Sequence, residues 1–199
     1  MAAGLILASA SRARRDVLNG AGVAHEIHVA GIDEAPIKAA CRSEGVDAET
    51  AALRLAAAKA AAAGQDHPDN LVIGADQILV CDGAWFDKPA DVDALRGHIG
   101  SLQGRTHHLV NGLVVAEGTA VVWRFTDRIA MTMRPLDGAA IDAYIAAAGP
   151  EALESVGGYR LEGPGAQLFE KTEGDFFSIL GLPLLPLLAY LRQRGALAI

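Results

Sequence analysis

The stretch Leu5–Leu18 has residue types in an order that suits phosphate binding. A short apolar run is followed by small and hydroxyl-bearing residues and then by a predicted helix. The first backbone N–H groups of a helix have no partner within it, so anions bind there. Two serines and three arginines accompany this helix start: Ser9, Ser11, Arg12, Arg14 and Arg15. The alternative is that one serine only caps the helix while the arginines form a solvated face.

An aspartate lies inside an apolar run, at Asp76 in LVIGADQILV. A charged carboxylate is costly to bury unless a cation or hydrogen-bond donors compensate for it. Asp76 is therefore a candidate for metal binding or for proton transfer. The alternative is a structural aspartate that accepts backbone hydrogen bonds at a strand bulge, which the neighbouring Gly74 would permit.

Charge and composition exclude several classes of protein. The 199 residues carry a net charge of −7, so we expect no broad nucleic-acid-binding surface. Hydrophobic residues make up 51% of the chain, which is typical of a globular protein. Cys41 and Cys81 form no metal-binding pattern and predict no disulfide framework, which fits a reducing cytoplasm. Glycine and prolines interrupt the apolar tail, so we predict no membrane span.

The chain alternates between predicted strands and helices. The strands are predicted at 5–8, 25–29, 71–73, 77–81, 107–116, 121–125 and 128–133. The helices are predicted at 11–19, 47–63, 91–102 and 136–148, and after Pro183. Gly64 is the expected stop signal of the alanine-rich second helix, and Asp82-Gly83 predicts a hairpin turn. A loop is predicted over 157–165, and the whole chain 1–199 is predicted to be one α/β domain.

Six short motifs follow one another along the chain. They are LILASxSxxRR from Leu5, LAxxKA from Leu55, GAD from Gly74, KP at Lys88, GRxH from Gly104 and EGDxxSxxGLP from Glu173. In this order they resemble the Maf family of nucleoside triphosphate pyrophosphatases, once described as septum-formation inhibitors. The resemblance covers nearly the whole chain. It implies an α/β fold of the Maf/inosine triphosphatase-like type, with a mixed sheet, flanking helices and two lobes around a central cleft.

The resemblance also implies roles for particular residues. Asp76 matches a catalytic aspartate that activates water, and Asp33-Glu34 match an acidic pair in which Glu34 is the stronger candidate. Asp76 and Glu34 are then the expected ligands of a divalent cation, Mg²⁺ or Mn²⁺, which hard oxygen ligands suit. Without the resemblance, the acidic pair would be interpreted as a solvated loop. The expected catalytic residues are Asp76, Glu34, Lys59 and Lys88, and the expected substrate-binding residues are Ser9, Ser11, Arg14, Gln77, Arg105 and Glu162.

Three cations match phosphate-facing positions of the family: Arg14, Lys59 and Lys88. Arginine can bind phosphate through two parallel hydrogen bonds, whereas lysine supplies a compact charge. Without the motif, Lys59 on an alanine-rich helix would be interpreted as a solubility residue. His107 and His108 are adjacent on a predicted strand, so they point to opposite faces and we interpret them as structural.

The chain departs from the family pattern near its N-terminus and resembles one branch of the family elsewhere. Maf proteins commonly show SxSPRR, whereas here Arg12 takes the proline position and Ala13 the first arginine position. One family cation is therefore missing, and Arg12 or Arg15 is the alternative source of charge.

Members that act on dTTP and UTP typically have Thr after the catalytic Asp and Gln in the later glycine loop. Gln77 and Glu162 at these positions resemble the branch that hydrolyses 7-methyl-GTP.

The chemistry of Glu162 agrees with a guanine base. A carboxylate can accept hydrogen bonds from the N1–H and the exocyclic amine of guanine, and it complements the positive charge of a methylated base. Against this interpretation, that branch often has Trp where Ala13 stands.

We therefore predict a metal-dependent cytoplasmic enzyme that converts a nucleoside triphosphate, such as 7-methyl-GTP, to the monophosphate and pyrophosphate. The expected partner is the nucleotide substrate, with no nucleic-acid polymer and no membrane, and a homodimer is left open. The alternatives are a nucleotide-binding regulator of cell division, a preference for dTTP and UTP, and a different phosphohydrolase of the inosine triphosphatase-like type.

Overall fold

The computed structural model describes residues 4–29 and 31–199. The α-helices are α1 Arg12–Gly20, α2 Glu34–Ser43, α3 Ala48–Asp66, α4 Val92–Leu102, α5 Gly138–Ala148, α6 Phe176–Ile179 and α7 Leu184–Gln193. The strands are β1 Leu5–Leu7, β2 Glu26–Ile27, β3 Leu71–Cys81, β4 Ala84–Phe86, β5 Thr106–Glu117, β6 Ala120–Met133 and β7 Phe169–Glu173. Short 3-10 helices span Pro150–Glu154, Val156–Gly158 and Pro164–Leu168.

The strands form a seven-stranded mixed sheet, which confirms the predicted fold class. Its order is β2-β1-β3-β5-β6-β7, and β4 pairs with β3. Strand β1 is parallel to both β2 and β3, as expected for strands joined through helices. Strands β3 and β4 form the predicted antiparallel hairpin, in which Asp82 and Gly83 both have positive φ. Strand β7 runs antiparallel to β6.

Several elements differ from the sequence-based predictions. The predicted strands 71–73 and 77–81 are one continuous strand, β3, and Asp76 lies within it. Likewise, Thr126-Asp127 does not interrupt β6, so the predicted strands 121–125 and 128–133 are also one strand. Helix α2 and strand β7 were not predicted. Parts of two 3-10 helices lie within the predicted loop 157–165.

The chain divides into two compact units. The first comprises Met1–Gln77, Asn111–Asp127 and Phe176–Ile199, and the second comprises Ile78–Val110 and Arg128–Asp175. Only the described residues are considered within each. The first unit contains α1, α2, α3 and α7 together with β1 and β2, and the second contains α4 and α5. In the part of the chain that the structure describes, every helix is too short or too polar to cross a lipid bilayer.

In the first unit, α3 lies unusually close to the sheet. A Cβ added to Gly74 would lie 2.1 Å from the carbonyl oxygen of Ala56, and one added to Gly112 would lie 2.3 Å from the carbonyl carbon of Ala52. Only glycine on the strands permits this separation. Gly64 was expected to end the helix, but α3 continues to Asp66. The glycine is needed because a Cβ there would overlap the Gly118 carbonyl.

The first unit has separate apolar clusters on the two faces of its sheet. Ile6, Val72 and Val114 pack against alanines of α3. Leu7, Ile73 and Leu113 pack in another cluster with residues of α1 and α7. Neighbouring residues of each strand therefore belong to opposite clusters, as expected because side chains alternate between the two faces of a sheet.

Candidate active site

The two serines at the start of α1 organise the first turn of that helix. Ser11 is the N-cap, and its Oγ accepts a hydrogen bond from the backbone N–H of Arg14 at 3.4 Å. Ser9 is buried, and its Oγ accepts from the backbone N–H of Ser11 at 3.3 Å. The capping role that the sequence left open is therefore present. Phosphate binding by these serines stays a prediction.

Arg14 is the one of the three helix-start arginines that lies inside the protein. Its Nε donates to the carbonyl of Gly181 at 2.8 Å. Its Nη1 donates to Ser9 Oγ and to the carbonyl of Ala75, both at 3.0 Å. Burial lowers the pKa of Arg14, and the charges of Asp76 and Glu34 oppose this effect. Arginine remains charged in proteins despite such shifts, so the site contains a fixed cation.

The other two arginines of this segment point outward. Arg12 and Arg15 are exposed, and both lie beside Asp16, at 3.5 Å and 3.7 Å respectively. The structure thus pairs both candidate replacements for the family arginine missing at Ala13 with a surface carboxylate.

Asp76 faces a lysine of α3. The distance from Lys59 Nζ to Asp76 Oδ1 is 2.5 Å. The same Nζ lies 2.9 Å from Glu34 Oε1. The Asp76 side chain is 9% exposed and that of Lys59 15%, whereas Glu34 is 37% exposed. The ammonium therefore compensates the buried carboxylate, and water reaches the group through the Glu34 side.

Local sequence explains how these three side chains meet. Asp33 is the N-cap of α2 and accepts a hydrogen bond from Ala35 N at 3.0 Å, so Glu34 is the first residue of a helix and not part of a loop. Asp47 caps α3 in the same way, through Thr50 N at 2.7 Å. The alanines of α3 allow it to approach β3 closely enough for Lys59 to contact Asp76.

The two carboxylates are a chemically suitable but incomplete set of metal ligands. Among residues 4–29 and 31–199, no group of three or more His, Cys, Asp or Glu side chains is arranged to hold a metal ion. Mg²⁺ does not require such a group, because it often binds one or two carboxylates and takes its other ligands from water and substrate phosphates. Asp76 and Glu34, which converge on one ammonium, fit that description.

Gln77 follows Asp76 but faces the opposite side of the strand. Its Nε2 donates to Asn111 Oδ1 at 3.0 Å and to the carbonyls of Ser178 and Ile179 at 3.1 Å and 3.3 Å. Asn111 is fully buried, and its Nδ2 donates to the Ser178 carbonyl at 2.9 Å. Ser178 Oγ in turn donates to Asp127 Oδ2 at 2.6 Å. This cluster was not predicted, although an asparagine inside the apolar run LVNGLV is a signal for a buried polar contact.

The remaining predicted site residues, Lys88, Arg105 and Glu162, belong to the second unit. Lys88 is exposed and precedes a buried proline. Arg105 Nη1 contacts Asp82 Oδ2 at 2.9 Å on the surface. Glu162 Oε1 lies 2.9 Å from Arg160 Nε, and Arg160 also contacts Glu151.

A cavity of about 120 Å³ adjoins this last ion-pair group. Glu151, Arg160 and Glu162 line it together with Tyr144 and the glycine-rich segment 163–165. The cavity is thus bordered by two carboxylates and one guanidinium.

The two adjacent histidines alternate as predicted. His107 is fully buried and its Nε2 lies 2.6 Å from the hydroxyl of Tyr159, whereas His108 is partly exposed. Burial, and secondarily the charge of His108, lowers the pKa of His107 to about 4. Within the described residues, its Nδ1 has no hydrogen-bond partner. The two rings do not converge on a common point, consistent with a structural role.

Comparison with known proteins identifies the family. The family model described as Maf-like protein matches residues 4–194. This chain belongs to that family. The Maf match covers both units and every predicted site residue, and it confirms the resemblance drawn from the six motifs.

Full-length Maf relatives carry two kinds of name. A nucleoside triphosphate pyrophosphatase of Granulibacter bethesdensis is 48% identical over 98% of this chain and 99% of its own length. A 7-methyl-GTP pyrophosphatase of Rhizobium meliloti is 46% identical over 97% of each chain. A nucleoside triphosphate pyrophosphatase of Hyphomonas neptunium is 44% identical over 99% of each chain. The similarity therefore extends across the whole of each relative.

Proposed function

We propose that this chain hydrolyses a nucleoside triphosphate to the nucleoside monophosphate and pyrophosphate. The observation that carries the proposal is the Lys59 ammonium shared by Asp76 and Glu34, with the buried cation of Arg14 nearby. Phosphoryl transfer needs positioned cations and a group that accepts a proton from water, and these side chains supply both. The names of the relatives support the same reaction.

In the proposed reaction, water attacks the α-phosphorus and the bond from that phosphorus to the bridging oxygen of the β-phosphate breaks. The oxygen and its electron pair leave with pyrophosphate. Asp76 accepts the proton of the attacking water. Its Oδ1 contacts Lys59, so Oδ2 is the oxygen assigned to this role. Lys59 and Arg14 offset the negative charge that develops on the phosphate oxygens.

We propose that Asp76 and Glu34 also hold a divalent cation, Mg²⁺ or Mn²⁺. Such an ion neutralises phosphate charge and polarises the phosphorus–oxygen bonds when it is bound. Lys59 would then move from between the two carboxylates towards the phosphates, because a divalent ion and an ammonium repel each other at short range. Lys88 is exposed, and it is proposed to follow the leaving pyrophosphate.

We propose 7-methyl-GTP as the preferred substrate class. Its base carries a positive charge, which the carboxylate of Glu162 complements. In the second unit, Arg160 engages Oε1 of Glu162, and Oε2 is assigned to the base. Relatives named 7-methyl-GTP pyrophosphatase are 44–46% identical to this chain, which supports the choice. Arg105 and the serines of α1 are proposed as further substrate contacts, and the cytoplasm as the location.

The test is product analysis with purified protein. It would be incubated with 7-methyl-GTP, GTP, dTTP and UTP in the presence of Mg²⁺ or Mn²⁺, and pyrophosphate, orthophosphate and monophosphate would be measured separately. We expect equal amounts of monophosphate and pyrophosphate, no orthophosphate, and no turnover in excess chelator. Orthophosphate as the first product, or binding of every nucleotide without turnover, would overturn the proposal.

A matched pair of variants tests the acidic residues. Glu34→Gln should lose turnover, because it removes a proposed metal ligand. Asp33→Asn removes the adjacent charge but retains a good helix N-cap, so its turnover should equal that of the wild type. Equal loss in both variants would assign the effect to helix α2 and not to Glu34.

A further inference from the structure

The face of the sheet opposite Asp76 contains a cluster of buried and half-buried polar side chains that the proposed reaction does not use. It consists of Gln77 on β3, Asn111 on β5, Ser178 on α6 and Asp127 on β6, and it is defined here as the amide cluster. Polar side chains that are linked by several hydrogen bonds hold the groups around them in one arrangement.

Within the amide cluster, the side chains of Gln77 and Asn111 bind the last two carbonyls of α6. The Ser178 carbonyl accepts from Asn111 Nδ2, from Gln77 Nε2 and from the backbone N–H of Gly181. The Ile179 carbonyl accepts from Gln77 Nε2. A four-residue helix has little stability of its own, so these side-chain donors replace the partners that a longer helix would supply.

The turn that follows α6 presents a carbonyl to Arg14. Gly181 has a φ of +86°, which an L-amino acid rarely adopts, and its carbonyl accepts from Arg14 Nε at 2.8 Å. The Leu182 N–H completes the turn by donating to the Phe177 carbonyl at 3.1 Å. The orientation of the Arg14 guanidinium therefore depends on where α6 and its turn are held.

We propose that Asn111 is a positioning residue for phosphate binding: with Gln77 it holds the end of α6, so that Gly181 orients Arg14. Gln77 accordingly affects substrate binding through the turn at Gly181 and not by direct contact, since its Nε2 donates to acceptors of the protein. The inference rests on the proposed function for its catalytic consequence, because it assumes that Arg14 binds phosphate. Its structural part does not depend on any activity.

The structural part is tested by amide hydrogen exchange. Asn111→Ala should speed exchange of the Gly181 and Leu182 amides by about tenfold or more, because the carbonyls that hold the turn lose side-chain donors. Exchange within α3 should be unchanged. If the 181–182 amides exchange at the wild-type rate, the proposal is overturned, whatever the enzyme hydrolyses.

The catalytic part is tested by a double-mutant cycle with Arg14→Lys. Asn111→Ala should raise KM for the best nucleotide by about tenfold, with a smaller effect on kcat, because it misplaces a binding cation. In a protein that already carries Arg14→Lys, Asn111→Ala should raise KM little further, since the two residues act through the same contact. Fully additive effects would overturn the proposal. A wild type that releases no pyrophosphate would instead overturn the proposed function, and the exchange experiment would still decide the positioning role.

Two further variants separate hydrogen bonding from shape and from stability. Gln77→Glu keeps the size of a partly exposed side chain but lacks the Nε2 donors, so it should raise KM as Asn111→Ala does. Leu191→Ala removes a fully buried side chain of α7 in the same unit, and should lower the melting temperature without raising KM. A KM increase in Leu191→Ala equal to that in Asn111→Ala would show that lost stability alone explains the effect.

Discussion

Lys59 Nζ lies 2.5 Å from Asp76 Oδ1 and 2.9 Å from Glu34 Oε1, so two carboxylates share a single ammonium. The three residues come from β3, α3 and the first turn of α2, which are separated in sequence. Because the ammonium offsets the charge of both carboxylates, a change at one position alters the electrostatics of the other two.

Asp76→Asn should abolish turnover while leaving the protein folded. The amide has the shape of the carboxylate and can still contact Lys59 through its oxygen, but it neither accepts a proton from water nor offers a full charge to a metal. Pyrophosphate release and the melting temperature would be measured together. Near-normal turnover by the folded variant would remove Asp76 from the mechanism.

Lys59→Met should make the protein depend more strongly on divalent ions for its stability. Methionine retains the length of the stem but removes the ammonium that Asp76 and Glu34 share, and Mg²⁺ or Mn²⁺ would then relieve the repulsion between the two carboxylates. We expect a larger rise in melting temperature on adding the ion than in wild type. Calorimetric scans with and without the ion would measure this difference, and equal rises in both proteins would argue against a metal at this pair.

Arg14→Ala and Lys88→Ala should both impair catalysis but differ in stability. Loss of a charge-assisted contact costs about 1.5–3 kcal/mol, which corresponds to roughly tenfold or more in KM or kcat. Arg14 is buried and makes three hydrogen bonds, so its removal should also lower the free energy of unfolding. Lys88 is exposed and should not affect it. Urea unfolding and steady-state kinetics would separate the effects, and wild-type kinetics in both variants would place these cations outside the phosphate site.

Glu162→Gln should shift substrate preference from 7-methyl-GTP towards dTTP and UTP. An amide both donates and accepts, so it suits a pyrimidine base better than an acceptor-only carboxylate does. A mismatched hydrogen bond to the bound base is worth about 1–3 kcal/mol, so the ratio of kcat/KM values should move by roughly 10- to 100-fold. Adding Gln77→Thr should leave this ratio as it is in the single variant, but should raise KM for every nucleotide and lower stability, because Gln77 Nε2 bonds three acceptors. A ratio unchanged in the single and double variants would refute this assignment of the base site.

Stability should decrease as the pH falls from about 6.5 to about 4, partly through His107. Its folded pKa is lowered from 6.5 to about 4, so the unfolded chain binds the proton more readily over this interval. The stabilisation is complete above the unfolded pKa and is lost as pH falls towards the folded value, and it amounts to about 3 kcal/mol at most. Urea unfolding at pH 7 and pH 4.5 should show a smaller decrease for His107→Gln than for wild type. The same decrease in both would assign the acid sensitivity to other groups.

The sequence predicted the architecture well where apolar periodicity was strong. The strands at 5–8 and 107–116 and the helices at 91–102 and 136–148 lie close to β1, β5, α4 and α5. The family, the mixed sheet and the enzyme class were also predicted, and the Maf match and the names of the relatives confirm them. One domain over 1–199, with two lobes around a cleft, stays a prediction.

The misses have local physical causes. Helix α2 has few buried residues and therefore little apolar periodicity, although Asp33 followed by Pro36 was a recognisable helix start. Strand β7 has the sequence FEKTE and is mostly exposed, so it shows no alternation of apolar and polar residues. Only its pairing with β6 identifies it as a strand. The partners of Gln77 were out of reach because two of its acceptors are backbone carbonyls about a hundred positions away.

The absence of a side chain at Gly74 sets the distance between helix α3 and the sheet. Any side chain at this position would lift α3 away from β3, since the Ala56 carbonyl already occupies the place of a Cβ. Lys59 stands one turn further along that helix, so the lift would widen its gap to Asp76. A single methyl group two residues before the carboxylate would thus lengthen the contact between Lys59 and Asp76 without changing any charged side chain.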